Sequence, residues 1–199
     1  MVVMLLFLTA CGDSPQPSSE KKSEKEKPAE PVSGLTALYQ MYNMARQWAP
    51  DAQVLRARSI RLSEVAPADG KSGAWEATFV SSTRSTARTY TYSVVEAQGN
   101  LHQGVFGGLE ESYSGPRGQE RPFPIIVART DTDKAYEIAV KKGDYYAKEH
   151  PKMPISYVLA LTGSHTDPAW RVVWGESVAT SGFSILINAA TGEFLQALR

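Results

Sequence analysis

Two stretches of this chain put large apolar side chains on every second position around a tryptophan. In GAWEATFV they are Trp75, Ala77 and Phe79, and in PAWRVVWG they are Trp170, Val172 and Trp174. Successive side chains of an extended strand point to opposite faces, so each run predicts a strand buried on one side only. Downstream of each lies a second alternating run, with Tyr90, Tyr92 and Val94 in the first and Phe183, Ile185 and Ile187 in the second. Both then reach a glycine turn, AQGNL at residues 97–101 and ATGEFL at residues 190–195. Glycine suits such turns because tight hairpins need positive φ.

A helix is expected ahead of each strand set. Leu35, Leu38, Met41, Tyr42, Ala45 and Trp48 fall three and four apart and form one apolar face, with Pro50 as the stop. In the second half Asp131 is the predicted N-cap, Ala135, Ile138, Ala139 and Tyr146 share a face, and Pro151 ends the helix. First strands follow at residues 54–62 and 155–161. In QVLRARSIRL, Arg56 and Arg58 share parity with Ile60 and Leu62, so a bulge is expected near Ser59 to shift the phase. The pattern predicts an α+β fold made of two repeats, each one helix packed on a three- to four-stranded antiparallel sheet. After Pro122 and Pro124, IIVA is expected to be an edge strand.

The run ILINAATGEFL at residues 185–195 resembles the last hairpin of PepSY-type domains, with Asn188 at the position of that family's usual Asp and with Thr191, Gly192 and Glu193 matching. The first half keeps only Gly99 of this motif. Two such units in tandem also resemble the beta-lactamase inhibitory protein architecture. The resemblance implies a non-catalytic module that binds or restrains peptidases.

The single cysteine sits at position 11, after the apolar residues 2–8 and the small residues Thr9 and Ala10. LTAC resembles the lipobox of bacterial lipoproteins, which implies a signal peptide removed ahead of a lipidated Cys11. Acyl chains contribute about 0.8 kcal/mol per buried methylene, so several hold a domain on a membrane. The resemblance places the protein in the cell envelope, facing periplasm or exterior, with Gly12 favouring the outer membrane where there is one. Residues 13–31, DSPQPSSEKKSEKEKPAEP, carry no aromatic or branched aliphatic side chain and are expected to be a disordered tether. The divisions are then 1–10 signal peptide, 11–33 lipidated cysteine and tether, 34–106 first repeat, 107–130 connection, and 131–199 second repeat.

Formal net charge is zero, which gives no general electrostatic case for nucleic acid as a partner. The three histidines are scattered, and His165 with Asp167 falls short of the three or four ligands a zinc site needs. No catalytic residue, metal or cofactor is expected. The expected partners are the membrane, through Cys11, and an envelope protein or peptidase.

For the latter the candidate surface is the sheet face opposite the helix. Arg56 and Arg58 are placed there with Glu76, Thr78, Thr89 and Thr91, and Arg84 and Arg88 at a hairpin. Val173 and Leu186, in the second half, are either a seam between the repeats or part of the patch. An alternative is a small-ligand carrier or enzyme with a cystatin-like fold, which predicts a pocket lined by Trp75, Trp170 or Trp174.

Metabolic labelling with a fatty acid checks the anchor. The native chain is expected to take up label, and the Cys11→Ser chain to take up none.

Overall fold

The structure, a computed structural model, describes residues 29–66, 68–99, 101–116, 120–163 and 165–199. Cys11, the expected signal peptide and the expected tether up to residue 28 lie outside the described residues. In chain order the elements are β1 (Val32–Ser33), α1 (Gly34–Trp48), β2 (Gln53–Ile60), β3 (Lys71–Ser72), β4 (Ala74–Ser81), β5 (Thr86–Ser93), β6 (Gly104–Ser112) and β7 (Glu120–Arg121). A 3-10 turn (Ile125–Val127) leads to α2 (Thr132–Lys142), α3 (Asp144–Glu149), β8 (Ile155–Thr162), β9 (Ala169–Trp174), β10 (Phe183–Asn188) and β11 (Phe194–Leu198).

The protein is α+β, with its helices on a large antiparallel sheet. Each half runs helix, then four principal strands, and the two strand sets share a single nine-stranded sheet rather than forming separate ones. Its order is β11-β10-β9-β8-β2-β4-β5-β6, with β7 paired to β8 off this path. The first principal strand of each half lies at the centre, and β2 pairs antiparallel with β8 through Arg56↔Ala160, Ala57↔Leu159 and Arg58↔Val158. Later strands of each half step outward. Helix α1 packs on β4, β5 and β6, and α2 on β9, β10 and β11.

One face of the sheet therefore holds the core. Trp75, Ala77, Phe79 and Tyr90 of the first half meet Leu159, Trp170, Val172, Trp174, Ile185 and Ile187 of the second, together with Leu38, Met41 and Ala45 from α1 and Ala135 and Ala139 from α2. Trp75 and Trp170 meet edge to face at 6.2 Å, a geometry that sets the positive ring edge against the negative face.

Around these two rings the helix starts are tied together. The Trp75 indole N–H donates to the Val32 carbonyl at 3.1 Å, and that of Trp170 donates to the Thr130 carbonyl at 2.8 Å. Each carbonyl belongs to the residue just before a helix N-cap, Ser33 for α1 and Asp131 for α2. Asp131 caps its own helix as predicted, its Oδ1 accepting from the Thr132 N–H at 2.7 Å. The same carboxylate accepts from the Leu35 N–H at 2.8 Å and from Ser33 Oγ at 2.6 Å. One negative charge thus serves the amino ends of both helices, where free N–H groups and the helix dipole favour it.

The local differences from the sequence reading have physical causes. The bulge in β2 falls between Val54 and Arg56, not at Ser59, and the ladder with β4 is regular from Arg56 to Ile60. The phase conflict resolved is between Val54 and Ala57, both fully in the core. Ile60 stays on the face of Arg58, where a second apolar cluster of Leu62, Val65 and Ala74 shelters it. The connection expected over 107–130 contributes the outer strand β6 as far as Ser112 and the short β7. In the first half AQGNL makes only an isolated bridge, Ala97↔Leu101, so β6 takes the outer place. IIVA is a 3-10 turn with Ile125 buried, while Phe123 just before it makes the bridge to Val54. The second helix is broken at Gly143 into α2 and α3. A Cβ there would meet Phe183 Cε1 at 2.9 Å and Ile185 Cδ1 at 3.0 Å, so the close approach of backbone to sheet requires glycine.

Gly34 is under the same constraint. A Cβ at this position would lie 2.6 Å from Trp170 Cη2 and 2.7 Å from Thr132 Cγ2, against a ring that is fully buried. Gly34→Ala is expected to cost about 1–3 kcal/mol by overpacking, read as a lower denaturant midpoint with an unchanged slope.

Candidate functional site: the helix-free face

With the halves joined edge to edge, neither covers the other's outer face. Cross-strand register sets a row of side chains across it: Glu76 of β4, Arg58 of β2, Val158 of β8, Arg171 of β9, Leu186 of β10 and Gln196 of β11 are successive partners. A neighbouring row holds Thr78, Arg56, Ala160 and Ala169. The second-half part of this face, with β2, forms an open cleft of about 630 Å³. Its floor includes the small side chains of Val158, Ala160 and Ala169. Arg56, Arg58 and Arg171 line it, Glu120 and His165 border it on one side, and Glu176 and Val178 of the β9–β10 connection on another.

The three guanidinium groups differ in how they are neutralised. Arg58 donates from Nε and a terminal nitrogen to both carboxylate oxygens of Glu76, at 2.8 and 3.2 Å. This fork-on-carboxylate bond raises the Arg58 pKa. Arg56 reaches Glu120 only at 4.0 Å. Arg171 donates from Nε to the neutral Ser184 Oγ at 2.8 Å, and among the described residues no carboxylate is paired with it. Burial lowers its pKa, since desolvation opposes the charged form.

The sequence-predicted residues divide between the two faces. Arg56, Arg58 and Leu186 meet in the cleft. Val173 shares that face but is 0% exposed and offers no surface. Arg88 pairs across from Phe79, on the core side of the sheet, where its guanidinium lies over the Tyr90 ring at 5.3 Å and its Nε–H donates to the Gly108 carbonyl. Arg84 belongs to a cluster at the end of α1, over the Trp48 ring at 5.8 Å and bonded to Glu110. Hydrogen bonds from Thr86, Arg84 and Trp48 hold the Glu110 pKa down at about 2. Arg171 was missed by the sequence reading, although its signal is plain: the one charged side chain in the apolar run AWRVVW, on the parity opposite Trp170, Val172 and Trp174.

The pocket predicted around the tryptophans is filled instead. Trp75, Trp170 and Trp174 are at most 1% exposed, and aromatic rings of Tyr157, Tyr146 and Phe183 pack against them. His165 lines the cleft while Asp167 accepts from Asn188. Among the described residues no group of three or more His, Cys, Asp or Glu is placed to hold a metal ion. Nor, among them, is any helix long and apolar enough to cross a membrane.

No protein-family model matches the sequence, and no curated protein does. Among solved structures, a candidate lipoprotein from Clostridium difficile 630 aligns with 87% of this chain and 95% of its own, at 9% identity and a TM-score of 0.48. That likeness is too loose to carry a role across.

Arg171 and Ser184 give a direct test of the cost of an uncompensated charge on this face. Changing Arg171→Met together with Ser184→Ala removes the desolvated cation without orphaning the buried hydroxyl. Because Arg171 is only partly buried and solvent screens much of that cost, the double variant is expected to melt no lower than the native chain and at most about 2 °C higher. Calorimetry of the two proteins measures it.

Proposed function

We propose that the protein is a lipid-anchored cell-envelope lipoprotein that acts as a non-catalytic binding module, gripping a protein partner, a peptidase among the candidates, on the helix-free face of its sheet. The observation that carries this reading is the placement of both main helices on one face, which leaves an open cleft with charged walls and a small-residue floor on the other. The LTAC sequence and the polar segment after it support the anchor and tether. The matching order of helix and strands in the two halves, and the paired indole bonds to the residues before each N-cap, support an internal duplication of PepSY-like units.

A small-ligand carrier is the second reading, favoured by the size of the cleft, which lies within the roughly 300–1,000 Å³ common for small-molecule sites.

A photo-crosslinking side chain placed in cells at Val158 or Gln196, both lining the cleft, separates the two. The binding module is expected to give one protein adduct of the same mass from both positions, identified by mass spectrometry, and none from Tyr39 on the outer side of α1, 40% exposed. Absence of any protein adduct from the cleft positions overturns it in favour of the carrier.

A further inference from the structure

The cleft has a chemical preference that its shape alone does not express. Its three arginines face two carboxylates on the lining, Glu120 and Glu176. Glu76 already occupies Arg58 with both oxygens, Glu120 only approaches Arg56, and Arg171 has a hydroxyl alone. A guanidinium held partly out of water without an anion is unfavourable by itself and becomes favourable when a carboxylate arrives in its plane. The three carboxylates Glu76, Glu120 and Glu176 balance the three guanidinium groups in number, but none is paired with Arg171, and the place for a further carboxylate is next to it.

The geometry also limits what carries that charge. Arg58 and Arg171 flank Val158 on neighbouring strands, so their Cα atoms are roughly 10 Å apart at about 4.8 Å per strand. That width accepts one extended chain. Arg56 and Arg58 stand two positions apart on β2, about 6.7 Å, which is also the repeat of every second side chain in an extended peptide. Between the arginines the floor is apolar, with Val158, Ala160 and Ala169, and Leu186 continues it beyond Arg171. A nucleic acid backbone would set phosphate against this floor, whereas a peptide alternating acidic and small apolar side chains satisfies both.

Resting on the binding reading above, we infer that the helix-free cleft is a recognition site for an extended acidic segment of a protein partner, with Arg171 bonding one of its carboxylates and Arg56 and Arg58 lying along its path.

The test is fluorescence anisotropy of the full chain with a labelled eight-residue peptide of alternating Glu and Ala, beside its Gln/Ala twin. The Glu peptide is expected to bind at least tenfold more tightly than the twin, with affinity falling as salt rises. Arg171→Gln is expected to weaken the Glu peptide tenfold or more and Arg171→Lys several-fold, because lysine keeps the charge but loses the fork. Arg84→Gln, on the other face, is expected to leave it unchanged. Thermal melts identify any variant that fails to fold, and the comparison of the two peptides on the native chain then decides alone. Equal binding of the twin, or native affinity in folded Arg171→Gln, overturns the inference. So does displacement of the peptide by free glutarate at equal concentration, which would make the site one for small carboxylates. A cleft that crosslinks a partner in cells yet treats the two peptides alike sinks only the acidic preference, whereas loss of the crosslink sinks the binding reading itself.

Discussion

The antiparallel contact between β2 and β8 governs the shape of this protein. Three residue pairs, Arg56↔Ala160, Ala57↔Leu159 and Arg58↔Val158, turn two strand sets into one sheet. Ladder bonds alone would leave a hinge there, and the packing above it removes that freedom. Trp75 and Trp170 come from strands on either side of the contact, meet edge to face, and each holds a carbonyl at the start of a helix. Asp131 then binds both helix starts with one carboxylate. Burial of two indoles with their N–H groups satisfied gives large apolar area without an unpaired donor.

Everything on the opposite face follows from that joint. Had the halves packed face to face, the positions of Arg58, Val158 and Arg171 would be interior and would have to be apolar. Joined edge to edge, they share a row open to solvent. Because β2 and β8 are central, residues from both halves meet in the same cleft, which neither half builds alone.

Much of this was legible in the sequence where one physical rule acts alone. Alternation placed Trp75, Phe79, Trp170, Val172, Trp174, Ile185 and Ile187 correctly in the core, and capping chemistry located Asp131. Legibility failed where two rules compete. The apolar Ile60 shares the parity of Arg58, which pointed to a phase shift near Ser59, but the small cluster of Leu62, Val65 and Ala74 shelters it on the arginine face without one. Gly107 and Gly108 have low strand propensity, yet they lie in β6, where Gly107 makes room for the Arg88 and Tyr90 side chains. Gly143 broke a helix that periodicity carried straight through. In the site, Arg56, Arg58 and Leu186 were found by parity, while Arg88 was grouped with them although it has the parity of Tyr90 and Tyr92. The fusion of the sheets had no local signal, since register between distant strands is decided by the fit of whole faces.

The path of the chain into the domain has a mechanical side. Val32 and Ser33, immediately before α1, pair with Ser72 and Lys71 in a separate two-stranded ladder, and the Val32 carbonyl takes the Trp75 indole bond. A force applied from the amino-terminal direction would enter at this short ladder, not at either rim of the main sheet. Traction would peel a two-residue zipper before loading the nine strands, and the helix-free face would keep its form.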